Sequence, residues 1–374
     1  MIWYWNDSKS GVVLTSSLSY AMAFFDGSIC FDHACCLYSG GSDFEIYDER
    51  ERACEGIEGK DMKRKIIIDT DCGSDDAMAI AMALNDKNYE ILFFSTVSGN
   101  VDVDQAIKNT LTTIEVANTY TPPVYRGCET MLLQKLIYAH ETHGKDGMGD
   151  IGLVPHYLKK SEGHAVLKIL EALDASEDGA IDIITLGPLT NIALAIKLAP
   201  EIMKKAGKIV VMGSAGLGVG NVTPVAEFNV WQDAEAARTV VEAGLENVIF
   251  VGWDACLDEC MLTPPEIKRI RESGDLGKFA IDCNRVLMEM NVDRFGDTYL
   301  DMADPSAMAA ALYPECIKDC KKYYCQVDTT PGPSYGSVLV DSNFFSGKEP
   351  NIYVCSKLYP EKYKEYIFKT LKVE

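Results

Sequence analysis

From residue 62 onward, short β-branched apolar runs alternate with segments of helical spacing, and few folds satisfy that alternation. Residues 65–69, 91–97, 181–186, 209–212 and 248–251 read as strands buried on both faces. Between them, 76–84, 105–118, 165–173, 190–198 and 234–243 repeat their apolar residues with a helical period. This order predicts an α/β fold, an open and mostly parallel sheet with helices on both faces. Ligands of such sheets bind at the carboxyl ends of the strands, beside the point where the strand order reverses. After Thr263 the pattern turns helical, over 264–271 and 276–290, which predicts a C-terminal helical cap over the strand ends.

Residues 1–61 do not share the pattern. They hold 4 basic and 11 acidic residues, four cysteines (Cys30, Cys35, Cys36, Cys54) and no sustained period. A basic start at 62–65 then leads into Ile66, Ile67 and Ile68. The expectation is therefore a poorly ordered leader or non-native extension over 1–61 and an α/β domain over 62–374. Met62 is a candidate translation start.

Charge and cysteine usage narrow the function classes. The chain has 35 Lys+Arg against 56 Asp+Glu, a formal charge of -21, which disfavours binding to a phosphate backbone. No apolar run has the length of a membrane span, and 11–25 is broken by hydroxyl residues and lacks the basic flank of a signal peptide. The 13 cysteines are odd in number, and no CxxC pair is matched by a second. They read as thiols in a reducing compartment and not as a disulfide framework or zinc site, so a cytoplasmic location is expected.

The strongest local signal follows the first strand. Asp69, Asp71, Asp75 and Asp76 place four carboxylates within eight residues, where the strand ends and a helix starts. Like charges so close are costly unless something positive sits among them. A helix N-terminus supplies only about half a charge. A hard divalent cation suffices, and oxygen donors without nearby His or Cys favour Ca²⁺ or Mg²⁺ over zinc. Gly73 permits the tight turn. Capping of the helix by Ser74 or Asp75 would explain one or two of the acids, not four. A strand ending in Asp-x-Asp also opens haloacid dehalogenase-type phosphatases, which use Mg²⁺ and an Asp nucleophile. Against that, Gly73 replaces their usual Thr or Val, and Asp75 and Asp76 are surplus.

The run from Asp69 to Ala77 resembles the DxDxGxDDA signature of the inosine-uridine preferring nucleoside hydrolases. The likeness continues in order through Val97 to Asn100, His143 with Gly144, Leu186 to Asn191, and Met212 with Gly213. It goes on through Gly220 with Asn221, Ala226 to Asn229 with Asp233, and Asp304 with Pro305. It covers 62–374, and six ordered matches, with Met212 to Asp233 counted as one block, are far more specific than any one of them. The resemblance implies hydrolysis of the N-glycosidic bond of ribonucleosides, purine or pyrimidine, to ribose and free base. It implies Ca²⁺ held by Asp71, Asp76, Asp304 and the main-chain carbonyl of Leu186, with Asp71 also taking a proton from the attacking water. It implies ribose contacts from Asp75, Asn100, Met212, Asn221, Glu227 and Asn229, with Phe228 beside them, and a homo-dimer or homo-tetramer.

One position departs from the family pattern. Many members have a His before the acidic pair, thought to protonate the leaving base, and here it is Ala303. His143 is the expected replacement, and Tyr299 is expected to hydrogen-bond the base. Arg294 and Asp297 lie in the same segment. A second class of function follows from the same departure: a protein of this fold that binds nucleoside or ribose with little turnover.

Overall fold

The computed structural model describes residues 63–373 in full and, before them, the backbone of five short strands. These are Tyr4–Asp7, Ser10–Val13, Met22–Phe25, Ser28–Phe31 and Ala34–Cys36, paired antiparallel in chain order. The leader expected over 1–61 otherwise lies outside the described residues. The chain divides into two units, Met1–Asp61 and Met62–Glu374.

The second unit is built on a nine-stranded sheet. Its strands are β1 (Arg64–Thr70), β2 (Tyr89–Thr96), β3 (Val124–Arg126), β4 (Ser161–His164), β5 (Ile181–Thr185), β6 (Ile209–Met212), β7 (Val248–Val251), β8 (Ile317–Tyr323) and β9 (Ile352–Leu358). They lie in the order β8-β9-β7-β6-β5-β1-β2-β3-β4. Every pairing is parallel except β8 against β9. Ile66 and Ile68 enter the core on one face and Ile67 the core on the other, which is why β1 carries three isoleucines in a row.

The helices that matter for the site are α1 (Ser74–Asn85), α2 (Val103–Ala117), α3 (Ala165–Asp174), α4 (Thr190–Leu198), α5 (Ala234–Val241), α6 (Pro264–Glu272), α7 (Asp275–Asp282), α8 (Arg285–Phe295), α9 (Ala303–Leu312) and α10 (Pro360–Thr370). The five expected strands and five expected helices of 65–251 are all present, with ends shifted by a few residues. The helix expected over 276–290 is instead two, α7 and α8. The Asn284 side chain donates to the carbonyls of Ala280 (2.9 Å) and Ser74 (3.0 Å), a side-chain to backbone bond that competes with helix continuation. The cap helices are also internal to the sequence: after α9 the chain returns to the sheet as β8 and β9 and ends in α10.

The topology fixes where a ligand can sit. From β1 the chain moves outward to β2, β3 and β4, and from β5 it moves the other way to β6 and β7. β1 and β5 are neighbours, so the loops leaving their carboxyl ends diverge and open a crevice. Asn191, at the start of α4, stitches this crevice together. Its amide donates to Asp69 Oδ1 (2.7 Å), the Thr96 carbonyl (2.9 Å) and Ser95 Oγ (3.1 Å), and its oxygen accepts from Cys128 N–H (2.9 Å). Replacing this buried amide with Ala strands four partners, so Asn191→Ala is expected to cost about 3 kcal/mol. Thermal unfolding reads that loss, and an unchanged melting temperature would contradict the stitching role.

Candidate active site

The turn from β1 to α1 aims its carboxylates into the crevice. Asp69 faces Asn191 and the Ser95 hydroxyl, so it belongs to the scaffold. Burial pushes it up to about 6. Asp71 is different. Its Oδ2 accepts the Asn100 N–H at 2.6 Å, while its buried Oδ1 has no partner. Two loops press against this carboxylate edge-on. A Cβ at Gly99 would lie 2.1 Å from Asp71 Oδ2, and one at Gly187 would lie 2.6 Å from Oδ1. Only glycine lets both loops come that close. The glycines after Ser98 and Leu186 therefore have a physical reason that their spacing alone did not reveal.

Asp76 sits one turn into α1. Its Oδ1 accepts from the Thr70 hydroxyl (2.5 Å), and its Oδ2 from Gly73 N–H (2.8 Å) and the Asn100 amide (3.2 Å). Asp75 Oδ2 accepts from the backbone N–H of Asp304, 3.4 Å away in α9. Oxygen atoms of Asp75, Asp76 and Asp304 lie within 4.8 Å of one another, and all three residues are buried. Burial, then the charge of Asp76, pushes Asp75 up to about 7 and Asp71 well above the usual carboxylate range. Burial, then Asp75 and Asp76, does the same to Asp304. Four acids in such a place lack a counter-charge. Their oxygen-only donors and the orphaned Asp71 Oδ1 fit a hard divalent cation.

Of the expected ligands, the closest carboxylate set contains Asp76 and Asp304. Its third member is Asp75, expected at a ribose hydroxyl, and Asp71 is outside it. The Leu186 carbonyl, just past β5, accepts the Asn229 amide at 2.6 Å.

Several of the residues expected at the ribose come from the end of β6, the loop after it and a short helix, Phe228–Gln232. The Asn229 amide also reaches the Met212 carbonyl and Sδ, both at 3.3 Å. Glu227 caps the short helix, accepting from Asn229 N–H (2.8 Å) and Val230 N–H (3.3 Å), and it also accepts from Ser214 N–H (3.1 Å). Burial pushes Glu227 up to about 7. Asn221 accepts the Phe228 N–H at 2.9 Å. Phe228 and Tyr299 are half-buried, and the Tyr299 carbonyl accepts from Asn291 (3.0 Å).

His143 ends a short helix, His140–His143, and is buried. Its Nδ1 lies 2.7 Å from the Ser74 hydroxyl, accepts the Ser74 N–H (3.3 Å), and stands 3.8 Å from Asp75 Oδ1. Burial pushes the ring down to about 4, so it is neutral near pH 7 with its proton assigned to Nε2.

Several contributors carried no readable signal. Thr70 and Ser74 look like ordinary turn residues, yet they hold Asp76 and His143. Thr190 does not cap α4: its hydroxyl donates to Asp233 at 2.6 Å, and Asp233 caps α5. Trp253 is buried, and its ring centre lies 5.2 Å from the Arg294 guanidinium.

The chain matches the family model for the inosine-uridine preferring nucleoside hydrolases over residues 66–365. It is 34% identical over 290 residues to the pyrimidine-specific ribonucleoside hydrolase RihB of Escherichia coli strain SE11, covering 77% of this chain and 91% of that one. Among solved structures it is similar to the plant nucleoside hydrolase PpNRh1, with a TM-score of 0.78, 28% identity, and 84% of this chain and 100% of the other covered. It is similar also to a purine-preferring ribonucleoside hydrolase from Gardnerella vaginalis, with a TM-score of 0.75, 28% identity, and 83% and 98% covered. The crevice with its buried acids and the ordered motifs thus have one source: the chain belongs to the inosine-uridine preferring nucleoside hydrolase family, hydrolases acting on the N-glycosyl bond of ribonucleosides.

Proposed function

We propose that this protein is a calcium-dependent hydrolase of purine or pyrimidine ribonucleosides, releasing ribose and free base, with Asp71 as the base that accepts the water proton. The observation that carries the reading is the Asp71 carboxylate. One oxygen is fixed by Asn100 N–H, the other is buried and unpartnered, and the buried Asp76 and Asp75 are near enough for their charges to raise it. Asp71, Asp76, Asp304 and the Leu186 carbonyl would hold the cation, with Asp75 close enough to Asp76 and Asp304 to join them or to take a ribose hydroxyl. When bound, Ca²⁺ lowers the pKa of a water and balances the acids.

The protein's own groups do the rest. Asp71 Oδ1 receives the water proton while Asn100 keeps the carboxylate oriented. Asn100, Asn221, Glu227, Asn229 and Met212 hold the sugar, and their buried polar groups would be left unpaired by a 2′-deoxy substrate. The ring at C1′ passes through an oxocarbenium-like state as the base departs. With Nδ1 held by Ser74, His143 would offer its Nε2–H to the leaving base, with Tyr299 as a second contact. Carboxylates and a main-chain carbonyl would suit Ca²⁺, which accepts more numerous and less regular oxygen donors than Mg²⁺.

A non-catalytic binder of the same fold is the second reading, favoured by Ala303, and turnover separates the two. The family membership leaves the phosphatase reading without support. We place the protein in the cytoplasm as a homo-dimer or homo-tetramer. The nine cysteines described are all free thiols, which suits a reducing compartment. Among the described residues no helix is long and apolar enough to cross a membrane.

The first test is ribose release by the full chain from inosine, guanosine, adenosine, uridine and cytidine, before and after calcium is stripped. Release that depends on calcium is expected, and none from any of the five would leave the binding-only reading. Asp71→Asn is expected to lower kcat by at least about 1,000-fold and to weaken calcium binding, since the amide accepts no proton. Normal turnover in that variant would remove Asp71 as the base. His143→Ala is expected to slow natural nucleosides about tenfold more than p-nitrophenyl riboside, whose leaving group needs no proton. Equal losses on both would remove His143 as the donor.

Stability should follow the raised acids. Groups whose folded pKa lies above the unfolded value stabilise below the unfolded pKa, near 4, and lose that contribution as pH rises through the folded values, about 7 for Asp75. The calcium-free protein should therefore melt lower at about pH 8 than at about pH 5, and added calcium should raise the melting temperature more at the higher pH. A calcium shift independent of pH would contradict binding through these carboxylates.

A further inference from the structure

The acids and the sugar-binding groups leave the thiols unused. Of the nine cysteines described, seven are pushed up by burial, which makes them poor nucleophiles. The other two stand opposite each other. Cys320 of β8 and Cys355 of β9 are direct antiparallel partners, and the pairing runs unbroken from them to Tyr323 and Ile352. Directly opposed residues of an antiparallel pair have Cα atoms about 4.5 or 5.5 Å apart, and a disulfide needs about 4.4–6.8 Å. Both side chains lie on one face of the sheet: Cys355 is buried in the core there, and Cys320 is half-buried against the same core.

The two thiols are not equivalent. β8 is the outermost strand of its sheet, so Cys320 can be reached from solvent, while β9 holds Cys355 one strand further in. The Cys355 thiol donates a hydrogen bond to Cys320, which draws the Cys320 thiol below its usual range against the opposing effects of burial and Asp319. The same bond, then burial, pushes Cys355 up. Cys320 therefore ionises first and meets an oxidant first, with Cys355 beside it to resolve the product. The chain between them leaves the sheet as an excursion over 324–351, in which Cys325–Val327 pairs with Val338–Val340. This excursion packs on α5, where Tyr335 OH donates to Glu235 (2.7 Å) and Thr329 Oγ1 accepts from Arg238 (3.3 Å). It also reaches the short helix that carries Asn229: a Cβ at Gly336 would lie 2.5 Å from Trp231 Cα.

We propose that Cys320 and Cys355 form an oxidation site, which a peroxide closes to an intrachain disulfide that staples β8 to β9 at the base of the 324–351 excursion. The Cys320 thiolate attacks one peroxide oxygen, the O–O bond breaks, and hydroxide leaves with its electron pair and is protonated to water. Cys320 is then a sulfenic acid. The Cys355 sulfur attacks the Cys320 sulfur, the S–O bond breaks, and the Cys355 proton leaves with the departing hydroxide as a second water. Two thiols lose two electrons and one peroxide becomes two waters. A dithiol reverses the bond by exchange, so in a reducing compartment the pair stays open until peroxide rises. The site does not depend on the hydrolase reading.

The test uses the full chain, reduced and then freed of reductant. It is treated with hydrogen peroxide, the remaining thiols are alkylated in denaturant, and the peptides are mapped by mass spectrometry. The expected product joins the Cys320 peptide to the Cys355 peptide. The linked chain should melt about 5 °C above the reduced one, and dithiothreitol should restore both thiols and the lower melting temperature. After peroxide, Cys320→Ser should leave Cys355 open to alkylation, and Cys355→Ser should leave Cys320 as a sulfenic acid that dimedone labels. Thermal melts establish that the variants fold, and the map of the parent chain decides without them. A treated parent chain in which Cys320 and Cys355 both remain open to alkylation would overturn the proposal. So would a bond from either one to Cys316 or to any other cysteine. A mapped bond between Cys320 and Cys355 with an unchanged melting temperature would overturn the staple.

Discussion

Everything at this site depends on burying carboxylates next to one another. Oxygens of Asp75, Asp76 and Asp304 lie within 4.8 Å, where two unit charges repel by at least about 3 kcal/mol at an effective dielectric of about 20. The fold offsets part of this with fixed donors. Asp76 takes the Thr70 hydroxyl and the N–H of Gly73, Asp71 takes the N–H of Asn100, and Asp75 takes the N–H of Asp304. The start of α1 contributes its free N–H groups as well. These donors hold direction but supply too little positive charge, so burial and mutual repulsion push Asp71, Asp75 and Asp304 above the usual carboxylate range. A polar surface that only a cation completes has been built into the core.

The scaffold is arranged around that cost. β1 and β5 diverge at the switch point, so the two loops that carry Asp71 and Leu186 open onto the same crevice. Gly99 and Gly187 then bring two further backbones against Asp71, which excludes bulk water from one side of the carboxylate. Asn191 and Asp233 take no part in the acid cluster. They fix the strands and helices behind it, Asn191 through β1, β2 and the loop after β3, and Asp233 through Thr190 and Leu132. A rigid back wall keeps the carboxylates from relaxing apart, which would relieve the repulsion and spoil the site.

Much of this was legible in the chain. Buried central strands such as β1, β5 and β6 are nearly all apolar, and the helices between them keep a clear period, so both could be read. β3 is three residues long, β4 reads Ser161, Glu162, Gly163, His164 with mostly exposed side chains, and β8 is an edge strand with three Lys and one Asp. Such strands are set by their neighbours' hydrogen bonds and carry no hydrophobic pattern of their own. The acid cluster was legible because four carboxylates in eight residues defy ordinary burial. The break at Asn284 was missed because a side chain competing for the Ser74 carbonyl is a tertiary event.

The order of assembly also follows from where the acids sit. Asp71, Asp75 and Asp76 come from the first turn of the domain, but Asp304 arrives from 229 residues beyond Asp75. α9, which brings it, is buried along nearly its whole length, and Tyr363 of α10 bonds the Met302 carbonyl at 3.1 Å just before it. Asp304 therefore reaches the crevice only when α9 is seated and α10 has closed behind it. In the unfolded chain the acids stand in water, where they repel weakly. Repulsion grows as the last segment docks and water leaves. The step that completes the core is thus also the step that completes the cation site, which couples ion binding to the final packing of the fold.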